Sequence, residues 1–277
     1  FWSIIILASF SYLMYTVVNE LRQYYSYPIR TQVNVEYHTE MTFPALTICN
    51  LCWRNKSKLG DSLNQDAFYG SISEFSHVFG HPNWSDPWYG ENGFYNETTE
   101  DFFFDQAMDL SKFLLQCWFD NTNQLVCEQD FVPIFTPSGL CYTFNGDGRR
   151  KTTFSGSRYN LHLYVDVNSD SYTWGSAVGT GIQILAHEPG TNPDISSLGV
   201  RVKPGSSVYA EISKREYTYL ERPYKAFAEQ YCETDFPTWS SSSEQFSYTR
   251  QYCFQLCFAR IVEIKCQCHL VSFPGKY

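Results

Sequence analysis

The chain opens on an unbroken apolar run: residues 1–18 contain no charged side chain. A helix rising about 1.5 Å per residue covers roughly 27 Å over that run, close to the apolar thickness of a bilayer. The pattern therefore predicts a transmembrane helix over residues 1–20. Tyr24, Tyr25 and Tyr27 follow at the boundary between membrane and water, where an aromatic ring keeps one polar edge wet. A secretory signal would carry a basic start, a shorter apolar run and a small-residue cleavage site, and none of these is present. No Met opens the chain, which predicts a cytoplasmic segment ahead of it.

Beyond the apolar run, Phe43-Pro44-Ala45-Leu46-Thr47-Ile48-Cys49-Asn50 reads as a strand that begins at a proline, whose missing N–H costs no ladder bond there, and ends at a cysteine. From Cys52 to about Gln116 the pattern turns irregular, with aromatics and acids mixed among Gly, Pro, Ser and Asn. Residues 53–116 read as an inserted, solvent-facing subdomain. Toward its end Phe103, Ala107, Leu110, Phe113 and Leu114 recur at helical spacing, and residues 106–116 contain no breaker, so a short helix is predicted to lead into Cys117. The middle reads as sheet. Leu161, Leu163, Val165 and Val167 alternate with Asn160, His162, Tyr164 and Asp166, which sets one face toward a core and the other toward solvent. Residues 181–187, 199–203 and 208–212 read as further strands, with Pro204-Gly205 as the turn between the last two. Residues 248–264 lack Pro and Gly and place Cys253 and Cys257 four apart, on one face of a helix.

Composition sharpens this picture. Aromatic residues make up 18% of the chain, which points to aromatic packing or aromatic recognition, and the net charge of -9 argues against a nucleic-acid partner while suiting a surface that attracts cations. Ten cysteines and three Asn-x-Ser/Thr sequons, at Asn55, Asn83 and Asn96, indicate an oxidising extracellular setting. A zinc site at Cys253, Cys257, Cys266 and Cys268 is the runner-up to disulfides, because Cys-x-x-x-Cys followed by Cys-x-Cys is not a usual zinc spacing. Nothing marks an enzyme. The six histidines (His38, His77, His81, His162, His187, His269) are scattered and read as surface residues, and the glycines of residues 175–181 fit a turn between strands and not a dinucleotide loop. No catalytic residue, cofactor or metal is expected.

The blocks Tyr24-Tyr25-Ser26-Tyr27 and Thr42-Phe43-Pro44-Ala45-Leu46-Thr47-Ile48-Cys49-Asn50 resemble the degenerin/epithelial sodium channel family, most of all its acid-sensing and peptide-gated branches. Further matches follow in order: Gly139-Leu140-Cys141-Tyr142-Thr143-Phe144-Asn145, Lys203-Pro204-Gly205, Cys253-x-x-x-Cys257, Cys266-x-Cys268 and Phe273-Pro274-Gly275. The resemblance implies an α+β membrane protein: a transmembrane helix, then a disulfide-rich extracellular domain over residues 21–277 with a central β-sheet and peripheral helices. Residues 232–277 would begin a cysteine-rich helical lobe, and a second membrane helix would lie outside this chain. It also implies pairing of Cys49 with Cys141 and of Cys117 with Cys127. Cys232, Cys253, Cys257, Cys266 and Cys268 would bond to partners further downstream, while Cys52 departs from the family pattern.

The same resemblance implies a subunit of a trimeric, amiloride-sensitive sodium channel in the plasma membrane. Its partners would be membrane lipid, two further subunits, sodium ions and an extracellular ligand. A contact between Tyr27 and Tyr224 would pass force from the extracellular domain to the pore. Where acid-sensing relatives carry a His-His pair and two Asp-Glu pairs, this chain has Pro28-Ile29, Asn34-Val35 and Trp174-Gly175, which do not titrate between about pH 5 and 8. The expected ligand is a short amidated peptide of the Phe-Met-Arg-Phe-amide kind. Phe75, Phe79, Trp84, Trp88 and Tyr89 would wall its site, with Asp86, Glu91 or Asp101 as counter-charge to the guanidinium. Proton gating is the alternative within the family, and a single-pass binding receptor the alternative outside it.

Overall fold

A computed structural model of the chain describes residues 1–26, 33, 35, 38–58, 104, 106–120, 123–124, 126–154, 156–172, 179–225, 230–231, 235–236 and 246–267. The chain divides into two compact units, one of residues 1–37 and 213–235, the other of residues 38–212 and 236–277.

In the first unit the apolar run forms helix α1, Trp2–Tyr25. It is long and apolar enough to cross a membrane, and none of its residues is buried. The helix outlasts the predicted residues 1–20 by one further turn. Glu20, Arg22 and Gln23 have good helix propensity and nothing breaks the ladder before Ser26, whose N–H bonds the Arg22 carbonyl at 3.1 Å. Tyr24 and Tyr25 therefore belong to the helix, their rings edge to face with centroids 5.4 Å apart.

The second unit is built on a five-stranded antiparallel sheet. Its strands are β2 (Ala45–Asn50), β5 (Phe131–Thr136), β6 (Gly139–Phe144), β9 (Ile182–His187) and β10 (Val200–Val202), in the order β10-β9-β2-β6-β5. The strand from Ala45 to Asn50 is central, flanked by β6 and β9, and five of its six residues are buried. A small ladder of β1 (Met41–Thr42) with β7 (Lys151–Thr152) lies beside its entry. Asn145, in the left-handed region at φ 55°, holds that entry: its Nδ2 donates to the Phe43 carbonyl at 2.5 Å and its Oδ1 accepts from the Arg150 amide at 2.7 Å.

A second sheet runs β4-β3-β8, with β3 Leu114–Phe119, β4 Asn123–Gln124 and β8 Leu161–Val165. The main core joins residues of both sheets: Ile48, Phe131, Phe144 and Ile182 of the first pack with Leu114, Cys117 and Phe119 of the second, and with Phe43 and Phe113. Much of it is aromatic. Phe43 and Phe119 meet edge to face at 5.0 Å between centroids, and Phe144 lies 5.5 Å from both Phe119 and Phe131. In β8 the alternation read from the sequence is met, with Leu161, Leu163 and Val165 against this core while His162 and Tyr164 are exposed.

Two sequence expectations fail. The helix expected over residues 106–116 shrinks to one turn, α2 (Leu110–Phe113), after which the chain enters β3 with Cys117 inside a strand. Pairing of β3 with β8 and burial of Leu114, Cys117 and Phe119 outweigh local helical spacing. Residues 208–212 form no strand. Residues 206–221 are exposed and, among the described residues, no neighbouring strand pairs with them, so the alternating pattern has nothing to ladder against. The Pro204-Gly205 turn itself is present, with Gly205 at φ 69° and Ser206 Oγ donating to the Lys203 carbonyl at 2.6 Å.

Two one-turn helices, α3 (Cys127–Asp130) and α4 (Ile195–Leu198), cover strand ends. The helix read at residues 248–264 runs Arg250–Cys266 as α5, capped by Thr249, whose Oγ1 accepts from the Tyr252 amide at 3.1 Å. Tyr252, Leu256 and Ala259 are buried, and the rings of Phe236 and Phe246 meet Tyr252 edge to face.

Candidate functional site

The cysteines show how the sheet is tied. β2 and β6 pair with Ile48 opposite Tyr142, which sets Cys49 opposite Cys141, and their sulfurs are bonded with the Cα atoms 4.5 Å apart. That is the spacing of a directly opposed pair between two antiparallel ladder bonds. Cys117 of β3 is bonded to Cys127 at the start of α3, closing the β3–β4 hairpin. Cys253 and Cys257 lie on α5 outside any disulfide, the second exposed, and Cys266 is that helix's last residue. Cys52 is buried, its thiol donating to the Arg54 carbonyl at 3.3 Å. Cys232 and Cys268 lie outside the described residues.

One glycan site is corrected. Asn55 is 1% exposed, and its Oδ1 accepts from the Ser57 amide at 3.0 Å and the Ser57 hydroxyl at 2.6 Å. An amide buried in this way has no room for a sugar. Asn83 and Asn96 fall outside the described residues, as do Tyr27 and the whole proposed peptide set: Phe75, Phe79, Trp84, Asp86, Trp88, Tyr89, Glu91 and Asp101. Tyr224 is 45% exposed, in a turn where its amide donates to the Glu221 carbonyl at 3.1 Å. Of the residues standing at acid-sensing positions only Val35 is described, and it is exposed.

The two ends of the 53–116 segment run side by side. Arg54 bridges Ala107 antiparallel, the Asn55 amide donates to Gln106 O at 2.9 Å, and the Met108 amide to Trp53 O at 3.0 Å. Next to this junction lies an open cavity of about 360 Å³ with a floor of Leu110, Phe131, Leu140 and Tyr142. At its rim Asp109 takes Lys58 Nζ at 2.7 Å and Lys112 Nζ at 3.1 Å, and the Lys58 hydrogen bond foremost holds its carboxyl below the ordinary value. Burial, aided by the Asp109 charge, pushes the Tyr142 phenol up to about 12, so it stays protonated and donates to the Met108 carbonyl at 2.9 Å.

On the opposite face of the central sheet, beside the Cys49–Cys141 bond, is a polar chain that sequence reading missed. Thr47 Oγ1 lies 2.8 Å from Thr143 Oγ1 and 2.9 Å from His187 Nε2, while His187 Nδ1 lies 3.1 Å from both the Glu188 carbonyl and Thr191 Oγ1. His187 is thus not the surface histidine expected: burial lowers its pKa, only partly offset by the Glu188 carbonyl. The signal was present in the alternation of residues 181–187, which sets Gln183, Leu185 and His187 on one face. His38 and His162 are exposed.

The chain matches the amiloride-sensitive sodium channel family over residues 1–277, its whole length. It is 28% identical over 299 residues to acid-sensing ion channel 1C of Danio rerio, an alignment covering 99% of this chain and 54% of that protein. Acid-sensing ion channel 1 of Gallus gallus is 26% identical over 99% of this chain and 54% of its own length. Acid-sensing ion channel 2 of Rattus norvegicus is also 26% identical, over 99% of this chain and 56% of its own length. The chain spans about half the length of the curated relatives it matches. With an apolar N-terminal helix, a disulfide-tied β-rich domain and a match over its full length, this chain belongs to the amiloride-sensitive sodium channel family, a family of ion channels and not of enzymes.

Proposed function

We propose that this chain supplies the first membrane helix and most of the extracellular domain of a subunit of a trimeric, amiloride-sensitive sodium channel in the plasma membrane, opened by an extracellular ligand. The carrying observation is the match to the sodium channel family over all 277 residues, with a 24-residue apolar helix ahead of a disulfide-tied domain. A second membrane helix, supplied outside this chain, completes the pore. Recording from the full-length protein with sodium replaced by a large organic cation tests this: inward current should vanish, and its persistence would sink the sodium reading.

The ligand is a short amidated peptide bound in residues 68–104. This reading rests on the titratable pairs of acid-sensing relatives being replaced by Pro28-Ile29, Asn34-Val35 and Trp174-Gly175, and on the rings and acids of that segment. Proton gating is the second reading, favoured by the similarity to acid-sensing channels. Substituting Asp86, Glu91 and Asp101 singly by Asn or Gln separates them. One substitution should raise the peptide concentration for half-activation; if none does and acid alone evokes current, the proton reading replaces the peptide.

A further inference from the structure

The Thr143–Thr47–His187–Thr191 chain can be given a direction. Thr191 Oγ1 donates to the Glu188 carbonyl at 2.6 Å, so its hydroxyl proton is committed and its oxygen accepts. His187 Nδ1 faces that oxygen and the Glu188 carbonyl, both acceptors, so Nδ1 carries the proton and Nε2 accepts from Thr47. The Thr47 oxygen is then free to accept from Thr143. The neutral ring satisfies every group in this row.

The row also leads somewhere. From His187 the chain turns through Glu188–Thr191, where the Gly190 carbonyl accepts the Ser247 amide at 2.7 Å and Thr191 bridges Ser247 in parallel. Two residues on, Thr249 caps α5, and further along that helix Gln255 Oε1 accepts from Asn192 Nδ2 at 3.2 Å. One short turn thus joins the central sheet to α5.

We propose that His187 is a proton-operated coupling point between the central sheet and α5. A proton from solvent taken up at Nε2 makes that nitrogen a donor to Thr47. The Thr47 hydroxyl then swings to Thr143, and the Thr143 hydroxyl must turn away to another acceptor. At the other end, the Nδ1–H bonds to Glu188 and Thr191 become charge-assisted and roughly twice as strong, which tightens the turn that holds Ser247. The ionisable groups on the surrounding elements are Glu188 in the turn, Asp194 ahead of α4, Asp147, Arg149 and Arg150 in the loop whose Gly146 carbonyl accepts the Gly190 amide, and Arg201 on β10. On α5 they are Arg250, Tyr252, Cys253, Cys257, Lys265, Cys266 and the Arg260–Glu263 ion pair. β2 and β6 bring only Tyr142 and the bonded Cys49 and Cys141. The device does not depend on what opens the channel.

The test uses the full-length protein in detergent. Exchange of the imidazole C2 proton, read by mass spectrometry, follows the titration of His187. Amide exchange corrected for intrinsic rate follows the peptide containing Ser247. As His187 takes up its proton below about pH 6.5, exchange at Ser247 should slow on the order of fivefold, with the same midpoint. His187→Gln should abolish the slowing. Thr191→Val should leave His187 titrating while the slowing at Ser247 becomes smaller, because only the Glu188 carbonyl then accepts from Nδ1. If His187 does not titrate while the protein stays folded, or Ser247 slows equally in Thr191→Val, the proposal is overturned. Thr191→Val decides the matter even if His187→Gln fails to fold.

Discussion

Gly139 opens β6 at φ 97°, in the left-handed region that glycine tolerates, and a Cβ there would run into the Trp53 ring. Gly139→Ala should therefore cost about 1 to 3 kcal/mol, read as a lower unfolding temperature of the full-length protein. Two residues on, Cys141 closes a loop with Cys49 across a sequence separation of 92, and Cys117 with Cys127 one of 10. Loop-closure entropy assigns about 4 to 5 kcal/mol to the first bond and about 3 to the second. Cys49→Ala should accordingly reduce surface expression more than Cys127→Ala does. Non-reducing peptide mapping should recover both bonds, and finding any of the four cysteines in another pairing would break this description of the sheet. The buried Asn55 should appear without sugar in the same map.

At the scale of elements, the strand around Thr47 was readable because several local signals agree: a proline at its entry, β-branched residues within and a cysteine at its end. α5 was readable for the same reason, from a run without breakers. β3 was not, since Leu114–Phe119 becomes a strand only through partners in β8 some forty-five residues away. The alternation of residues 181–187 sets the face of His187, but its contact with Thr47 spans 140 residues and nothing local names that partner. Its consequence for pH has a definite sign. Burial lowers the His187 pKa in the fold below its unfolded value near 6.5, so the unfolded chain binds the proton more readily. The stability His187 contributes is present above about pH 6.5 and is lost as pH falls toward the lowered value. Unfolding temperatures at pH 7.5 and 5.5 should differ more in the wild type than in His187→Gln, and equal differences would count against a half-buried, desolvated histidine. Thr249→Ala removes the α5 cap and should cost about 1 kcal/mol, seen as faster amide exchange at Tyr252.

For the whole molecule, the apolar helix and the disulfide-tied sheet are the parts that family membership and structure describe together, and the activity proposed for them is sodium conduction gated from outside. The peptide ligand proposed for residues 68–104 is read from sequence chemistry: a guanidinium needs a carboxylate, which Asp86, Glu91 or Asp101 would supply. The most direct measurement is whole-cell current from the full-length protein, first under a step to pH 5 and then under a panel of short amidated peptides, each with and without amiloride. One of the peptides should evoke a sodium current that amiloride blocks and acid does not reproduce. A current evoked by acid alone, or no current under either stimulus from protein that reaches the cell surface, would overturn the peptide-gated reading.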